Sequence, residues 1–179
     1  MNIRPVKQEE HCITEKLVFE VFENTTFSDG LVEKTLIREI REKEYYIPDL
    51  DLVVEDSGEI IAHTILSKFP ISNEHSKEVL LLSPVTVAIN KQRQGVGEFM
   101  LREAIKIATN MGYQGIVVEG DYRYYRRFGF RTSTEFGIYA SEKNLPPSEE
   151  YLMALELKDR GLETISGEVD FSLYSALVH

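Results

Sequence analysis

The run "EVLLLSPVTVAI", residues 78–89, restricts the fold of this chain more than any other segment. It is nearly continuous in apolar and β-branched residues, as expected of a strand buried on both faces. A strand of that kind lies inside a sheet, with other layers packed against it. Pro84 stands in its middle and has no N–H to give to a ladder, so pairing is expected to bulge or stop there. The strand should therefore lose its neighbour over Ser83 to Val87, leaving backbone groups that need another partner. An extended ligand bearing amides could supply one, in the manner of an added strand.

The stretch that follows, "NKQRQGVG" at 90–97, leads straight into a helical pattern. Two readings stand side by side: a plain turn from strand to helix, or a cradle for an anion. A glycine-rich entry to a helix can aim several unpaired amides in one direction, where the helix dipole adds positive character. No Lys-Ser/Thr pair follows the glycines, so this is not a phosphate loop of the Walker kind. Met100 stands where a dinucleotide fingerprint needs its third glycine. Joined to an unpaired strand, a cradle here suits one ligand shape: an amide-bearing arm attached to a pyrophosphate.

The rest of the chain reads as a mixed α/β domain. Residues 3–6 make a short edge strand, and 8–24 an amphipathic helix with Ile13, Leu17, Val21 and Phe22 on one face. A turn-rich break, "TTFSDG", precedes a second helix with Leu36, Ile37 and Ile40 inward. Residues 50–71 are two β-rich runs about "EDSG", a hairpin. From Val96 the positions Phe99, Met100, Ala104, Ile107, Ala108 and Met111 form a helical stripe that Gly112 ends. A buried strand at 115–120 and a short aromatic and basic helix at 121–130 follow, then strands at 130–140 and 151–157. The order is β-α-α-β-β-β-α-β-α-β-β, a central sheet with helices on its faces. No linker or repeat breaks the chain, so residues 1–179 read as one domain, with a core over 3–157 and a weakly patterned extension over 158–179.

Composition narrows the partners. A net charge of −10 argues against broad nucleic-acid binding, which needs a surplus of Lys and Arg, and it steers cations better than anions. It serves solubility equally well. A single cysteine, Cys12, allows no internal disulfide and fits a reducing compartment. Neither an apolar leader nor a membrane-length run is visible, so a cytoplasmic location is expected.

Two motifs carry a resemblance. "VTVAINKQRQGVGEFMLREAI" resembles motif A of the GCN5-related N-acetyltransferases, whose core Gln/Arg-x-x-Gly-x-Gly/Ala is matched by Gln92, Gly95 and Gly97. "YYRRFGF" resembles that family's second motif, a tyrosine-bearing short helix closing on Gly-Phe, and the combination of "GDYRYYRRFGF" with "IIAHTILS" is most similar to the YhbS-type subgroup. The resemblance implies a mixed, mostly antiparallel sheet splayed at the fourth strand with helices on both faces. It implies acetyl-CoA as acyl donor, with the amides of Gln92, Arg93, Gln94, Gly95, Val96 and Gly97 on the pyrophosphate. The backbone of Val85, Thr86 and Val87 would pair with the pantetheine arm.

Tyr125 matches the family tyrosine four residues before the Gly of Gly-Phe. It would protonate the departing thiolate, or only pack against the cofactor. Many family members carry a glutamate on the fourth strand, where Ser83 stands here. Glu119 is then the nearest carboxylate to act as general base, and the bland alternative is that it caps or orients the short helix. A water chain, or an amine of low pKa, would need neither. The reaction implied is direct attack of a primary amine on acetyl-CoA; the alternative is a non-catalytic acyl-CoA-binding or sensing module on the same fold. A monomer or homodimer is expected, with the acceptor a small-molecule or peptide amine and "TTFSDGLVEK" the segment shaping its pocket.

The other candidates are weaker. His11, His63, His75 and His179 are scattered, and His63 reads as a structural histidine within a strand. No cluster has metal-site spacing, so no metal is expected. Cys12 reads as a packing residue. Arg123, Arg126 and Arg127 read as mainly solvated, with contact to the CoA 3′-phosphate as the other possibility.

Overall fold

The structure, a computed structural model, describes residues 1–71 and 78–178. His75 and His179 lie outside the described residues. The main sheet contains β1 (Asn2–Pro5), β2 (Asp51–Asp56), β3 (Glu59–Lys68), β4 (Val79–Val87), β5 (Gly115–Glu119), β6 (Arg131–Thr132) and β8 (Leu152–Glu156). Their spatial order is β1-β2-β3-β4-β5-β8-β6. Every neighbouring pair is antiparallel except β4–β5, which is parallel. A parallel pair needs a crossover, and α3 (Val96–Asn110) supplies it.

Alternation along the strands sends side chains to two faces. On one, Leu81 and Val117 pack with Val18 of α1 (His11–Phe22) and with Leu36, Ile37 and Ile40 of α2 (Leu31–Glu42). On the other, Leu80, Leu82, Ile116 and Val118 meet Leu101, Ala104 and Ala108 of α3. The short helix α4 (Tyr122–Tyr125) follows β5 and runs into a 3-10 turn that ends at Gly129, where φ is +93°.

Three expectations are corrected. α1 turns Thr14 and Val18 inward, while Ile13 is 47 % exposed. The cause is polar: Thr14 Oγ1 accepts a hydrogen bond from Arg41 at 2.9 Å, and α1 has apolar residues on several sides, so that contact fixes its rotation. Cys12 is exposed and is not a packing residue. The single strand expected over 130–140 divides into β6, a 3-10 turn at Ser133–Phe136, and β7 (Ile138–Ala140). β7 leaves the main sheet and pairs in parallel with β9 (Gly167–Val169).

The weakly patterned tail is thereby drawn into the interior. Leu162, Ile165, Val169, Phe171 and Tyr174 are all buried in the α1–α2 core. The Phe171 and Tyr174 rings lie 5.5 and 6.4 Å from Phe69. Glu39 of α2 accepts from the Ala176 amide at 3.2 Å and from the Ser175 hydroxyl, fastening the last turn to α2.

Beneath the two helices lies a buried polar network. Asp51 is fully buried; Arg41 Nε donates to it at 2.8 Å, His63 Nε2 lies at 2.7 Å, and the Tyr46 hydroxyl donates at 3.0 Å. Burial alone would raise the Asp51 carboxyl, but the hydrogen bonds and charge around it prevail and hold it below the ordinary carboxylate range. Burial also depresses the His63 imidazole, so His63 is a neutral donor and Arg41 is the compensating cation.

Candidate active site

The expected break at Pro84 occurs. β4 pairs with β5 only through Val79↔Gly115, Leu80↔Ile116 and Leu81↔Val117. Beyond Leu81 the two strands part. On its other side β4 stays with β3, but the register slips: Thr64 pairs with Val85 and Leu66 with Leu82, so β4 holds one extra residue. Thr64 Oγ1 donates to the Pro84 carbonyl at 2.8 Å, which anchors the bulge. β5 continues alongside β8 to Glu119.

Into the parting points the start of α3. Gly95 takes φ +82°, a left-handed value that suits glycine, and turns the chain into the helix. Among the described residues no side chain caps α3. The first helical bond runs from Phe99 N to Gly95 O at 2.9 Å, so the amides of Val96, Gly97 and Glu98 precede the hydrogen-bonded ladder. Gln92 Nε2 donates to the Val87 carbonyl at 3.1 Å and Gln94 Nε2 to the Asn90 carbonyl at 2.9 Å; both side chains shape the loop itself. Glu98, in the first turn, would repel an anion, but Arg102 and Arg127 each hold it at 2.8 Å.

A Cβ on Gly97 would meet the Tyr124 hydroxyl at 2.8 Å, and a Cβ on Gly120 would meet Tyr125 Cε2 at 2.7 Å. Gly120 thus lets the buried Tyr125 ring close on the end of β5, and Gly97 lets the Tyr124 hydroxyl approach α3. Tyr125 is 9 % exposed, with its ring edge-on to Tyr124 and Phe130. Burial raises its phenol well above the ordinary value, so it keeps its proton.

One cleft of about 1270 Å³ joins these parts. Of the residues singled out in the sequence, Val85, Val87, Gln92, Arg93, Gly95, Gly97, Glu119 and Tyr125 line it. Thr86, Gln94 and Val96 do not. The Thr86 side chain is buried in the register position opposite His63, Val96 at the start of α3 is packed with Val54, Ile61 and Ala62, and Gln94 faces solvent. Glu119 is exposed at the end of β5, and the cap of α4 is Asp121, whose carboxylate accepts from Arg123 N at 3.0 Å. Arg123, Arg126 and Arg127 are exposed, each in an ion pair.

The "TTFSDGLVEK" segment contributes Phe27, Val32 and Glu33 to the cleft, as its position suggests. Sequence reasoning missed a second group, Asn144, Leu145, Pro147, Phe171 and Leu177. The signal available was the apolar content of "VDFSLYSALV", too dense for a segment facing water throughout.

Comparison with known proteins agrees with this geometry. The family description "Acetyltransferase (GNAT) family" matches residues 16–130, more than half of the chain. The chain belongs to the GNAT acetyltransferase family. Among its relatives is the uncharacterized N-acetyltransferase YhbS of Escherichia coli K12, 24% identical over 139 residues, which are 78% of this chain and 80% of YhbS. YjhQ of the same organism, also an uncharacterized N-acetyltransferase, is 24% identical over 138 residues, 76% of each chain. The crystal structure of E. coli YhbS in complex with CoA superposes with a TM-score of 0.81, covering 94% of this chain and 88% of that one at 24% identity. A GNAT acetyltransferase from Brucella melitensis, in complex with acetyl-CoA, gives 0.72 and 24%, covering 88% of each. The shared GNAT fold is thus mixed α/β, mostly antiparallel, with its parallel pair at β4–β5.

Proposed function

We propose that this protein transfers the acetyl group of acetyl-CoA to a primary amine by direct attack. The observation that carries the reading is the meeting of three features in one cleft: the parting of β4 from β5 beyond Leu81, the uncapped start of α3, and the buried phenol of Tyr125. The relatives crystallised with CoA and acetyl-CoA support the choice of donor.

On this reading the amides from Gln92 to Gly97 hold the pyrophosphate, with partial positive charge from the helix start. The backbone of Val85 to Val87 pairs with the amide arm. The thioester carbonyl then lies in the parting, where strand N–H groups polarise it. The amine nitrogen forms a bond to the carbonyl carbon and the carbon–sulfur bond breaks. Nitrogen loses one proton and sulfur gains one, so the products are the acetamide and free thiol. Tyr125 gives its proton to sulfur as negative charge develops there. Glu119, at the rim of the same cleft, receives the amine proton directly or through water.

A second reading, a binding module without turnover, rests on Ser83 standing on the fourth strand where a carboxylate base would otherwise act. Free-thiol release from acetyl-CoA across an amine panel separates the two. Amine-dependent release supports the enzyme, and tight CoA binding without it supports the module. Tyr125→Phe should lower kcat about 100-fold or more; wild-type kcat with an unchanged pH profile would remove Tyr125 as the acid. Glu119→Gln with normal kcat/KM at every pH would remove Glu119 as the base.

A further inference from the structure

The acceptor half of the cleft has its own chemical character. Its wall is built from the end of α1 and the segment after it, from the 144–147 loop, and from the C-terminal turn: Phe22, Phe27, Leu36, Leu145, Phe171 and Leu177. Phe27 and Leu145 are 77% and 70% exposed, the two most exposed large apolar side chains among the described residues. They come from opposite ends of the sequence and line the same cleft. Large apolar groups left in water on converging walls mark a surface kept open for an apolar partner.

The charges complete the pattern. Glu33 lies within this half, its carboxylate accepting from the Ser28 hydroxyl at 2.5 Å, and Glu119 also lines the cleft, while Asp121 beside it is already paired with Arg123 at 2.9 Å. Among the described residues no lysine lines the cleft. Its arginines belong to the donor side: Arg93 is in the loop before α3, and Arg127 is bound to Glu98. An ammonium group would therefore enter towards carboxylates, and the rest of its molecule would lie against hydrocarbon.

We infer that the acceptor is a small primary amine with an apolar aliphatic or aromatic body, selected by the 144–147 loop and the 171–177 turn. This rests on the acetyltransferase reading for the position of the reacting nitrogen. A polyamine or an aminoglycoside would set several further cations or hydroxyls against Leu145, Phe171 and Leu177, which offer them no hydrogen bond. The tail then has a function besides packing: through Phe171 and Leu177 it forms part of the acceptor wall.

Calorimetric titration of the CoA-loaded protein with 2-phenylethylamine and with spermidine tests the pocket directly. Phenylethylamine should bind at least tenfold more tightly. Phe27→Ala and Leu145→Ala, both at exposed positions that spare the core, should each weaken it three- to tenfold while CoA affinity stays within twofold. Equal or tighter binding of spermidine would overturn the inference, as would phenylethylamine affinity unchanged in both variants. Phenylethylamine bound as expected, but with no thiol released from acetyl-CoA by it or by any other amine of the panel, would uphold the pocket and sink the acetyltransferase reading.

Discussion

Gly120 gives Tyr125 its position: a Cβ on the glycine would stand 2.7 Å from Cε2 of the tyrosine ring. The ring is the fixed partner, held edge-on by Phe130 at 5.7 Å and by Tyr124 at 5.3 Å. Gly120→Ala must therefore displace the phenol or the end of β5. Overpacking of this kind costs about 1–3 kcal/mol, and a misplaced catalytic group loses rate far out of proportion to the distance moved. The expected result is a fall in kcat of about tenfold or more with KM for acetyl-CoA little changed. Steady-state kinetics and chemical denaturation check it.

The two glycines of the α3 loop should fail in different ways. Gly95 has φ +82° and open space around its Cβ position, so Gly95→Ala pays a backbone cost of about 1–2 kcal/mol. Gly97 has an ordinary φ but faces the Tyr124 hydroxyl at 2.8 Å. Gly97→Ala should weaken CoA binding about tenfold, by pushing Tyr124 and crowding the cradle, with a smaller loss of stability. Calorimetry of CoA binding and urea denaturation on both variants separate strain from obstruction.

Arg41 compensates the buried carboxylate of Asp51. Arg41→Met should destabilise the protein by about 3–5 kcal/mol, because it strands a charge in the interior. Adding Asp51→Asn to that variant should recover part of the loss. Denaturation midpoints of the two variants against the parent give the measurement.

Stability should fall as pH drops from 7 to 5. The His63 imidazole is depressed by burial, so below about pH 6.5 the unfolded chain takes a proton that the native state refuses. The loss approaches about 1.4 kcal/mol per pH unit for one such proton. His11, depressed chiefly by burial, acts in the same direction. Asp51, held low in the native state, extends the loss only below about pH 4. His63→Gln should flatten the slope between pH 7 and 5 in thermal unfolding, even if it lowers the midpoint at pH 7.

Much of the frame was legible because local rules and the fold agree in it. The apolar run with Pro84 marked both the central strand and its break, and the period of α2 and α3 named most of their inward residues. The hairpin at Ser57 and Gly58 followed from its turn residues. Legibility failed where long-range contacts decide. Thr14 faces inward, where its hydroxyl accepts from Arg41, distant in sequence. β7 is separate from β6 only because β9 arrives from the tail to pair with it. The strand and helix start of the donor side lie on one nearly continuous segment, 83–97, and could be read from it, while Tyr125 was found from a second local motif. The acceptor side is assembled from 21–36, 144–147 and 171–177, and no local pattern ties those segments together.

The parting of β4 and β5 also bears on strand-to-strand association. A strand with a free side is a template for another chain, and proteins usually guard such strands at the outside of a sheet. Here the free sides of β4 and β5 open in the middle of a seven-stranded sheet, with β3 and β8 already paired beyond them. A second copy could not add its own strand there without entering the sheet from within. A slender amide-bearing arm can. The fold thus keeps a strand open for a ligand without offering an aggregation-prone edge to its neighbours.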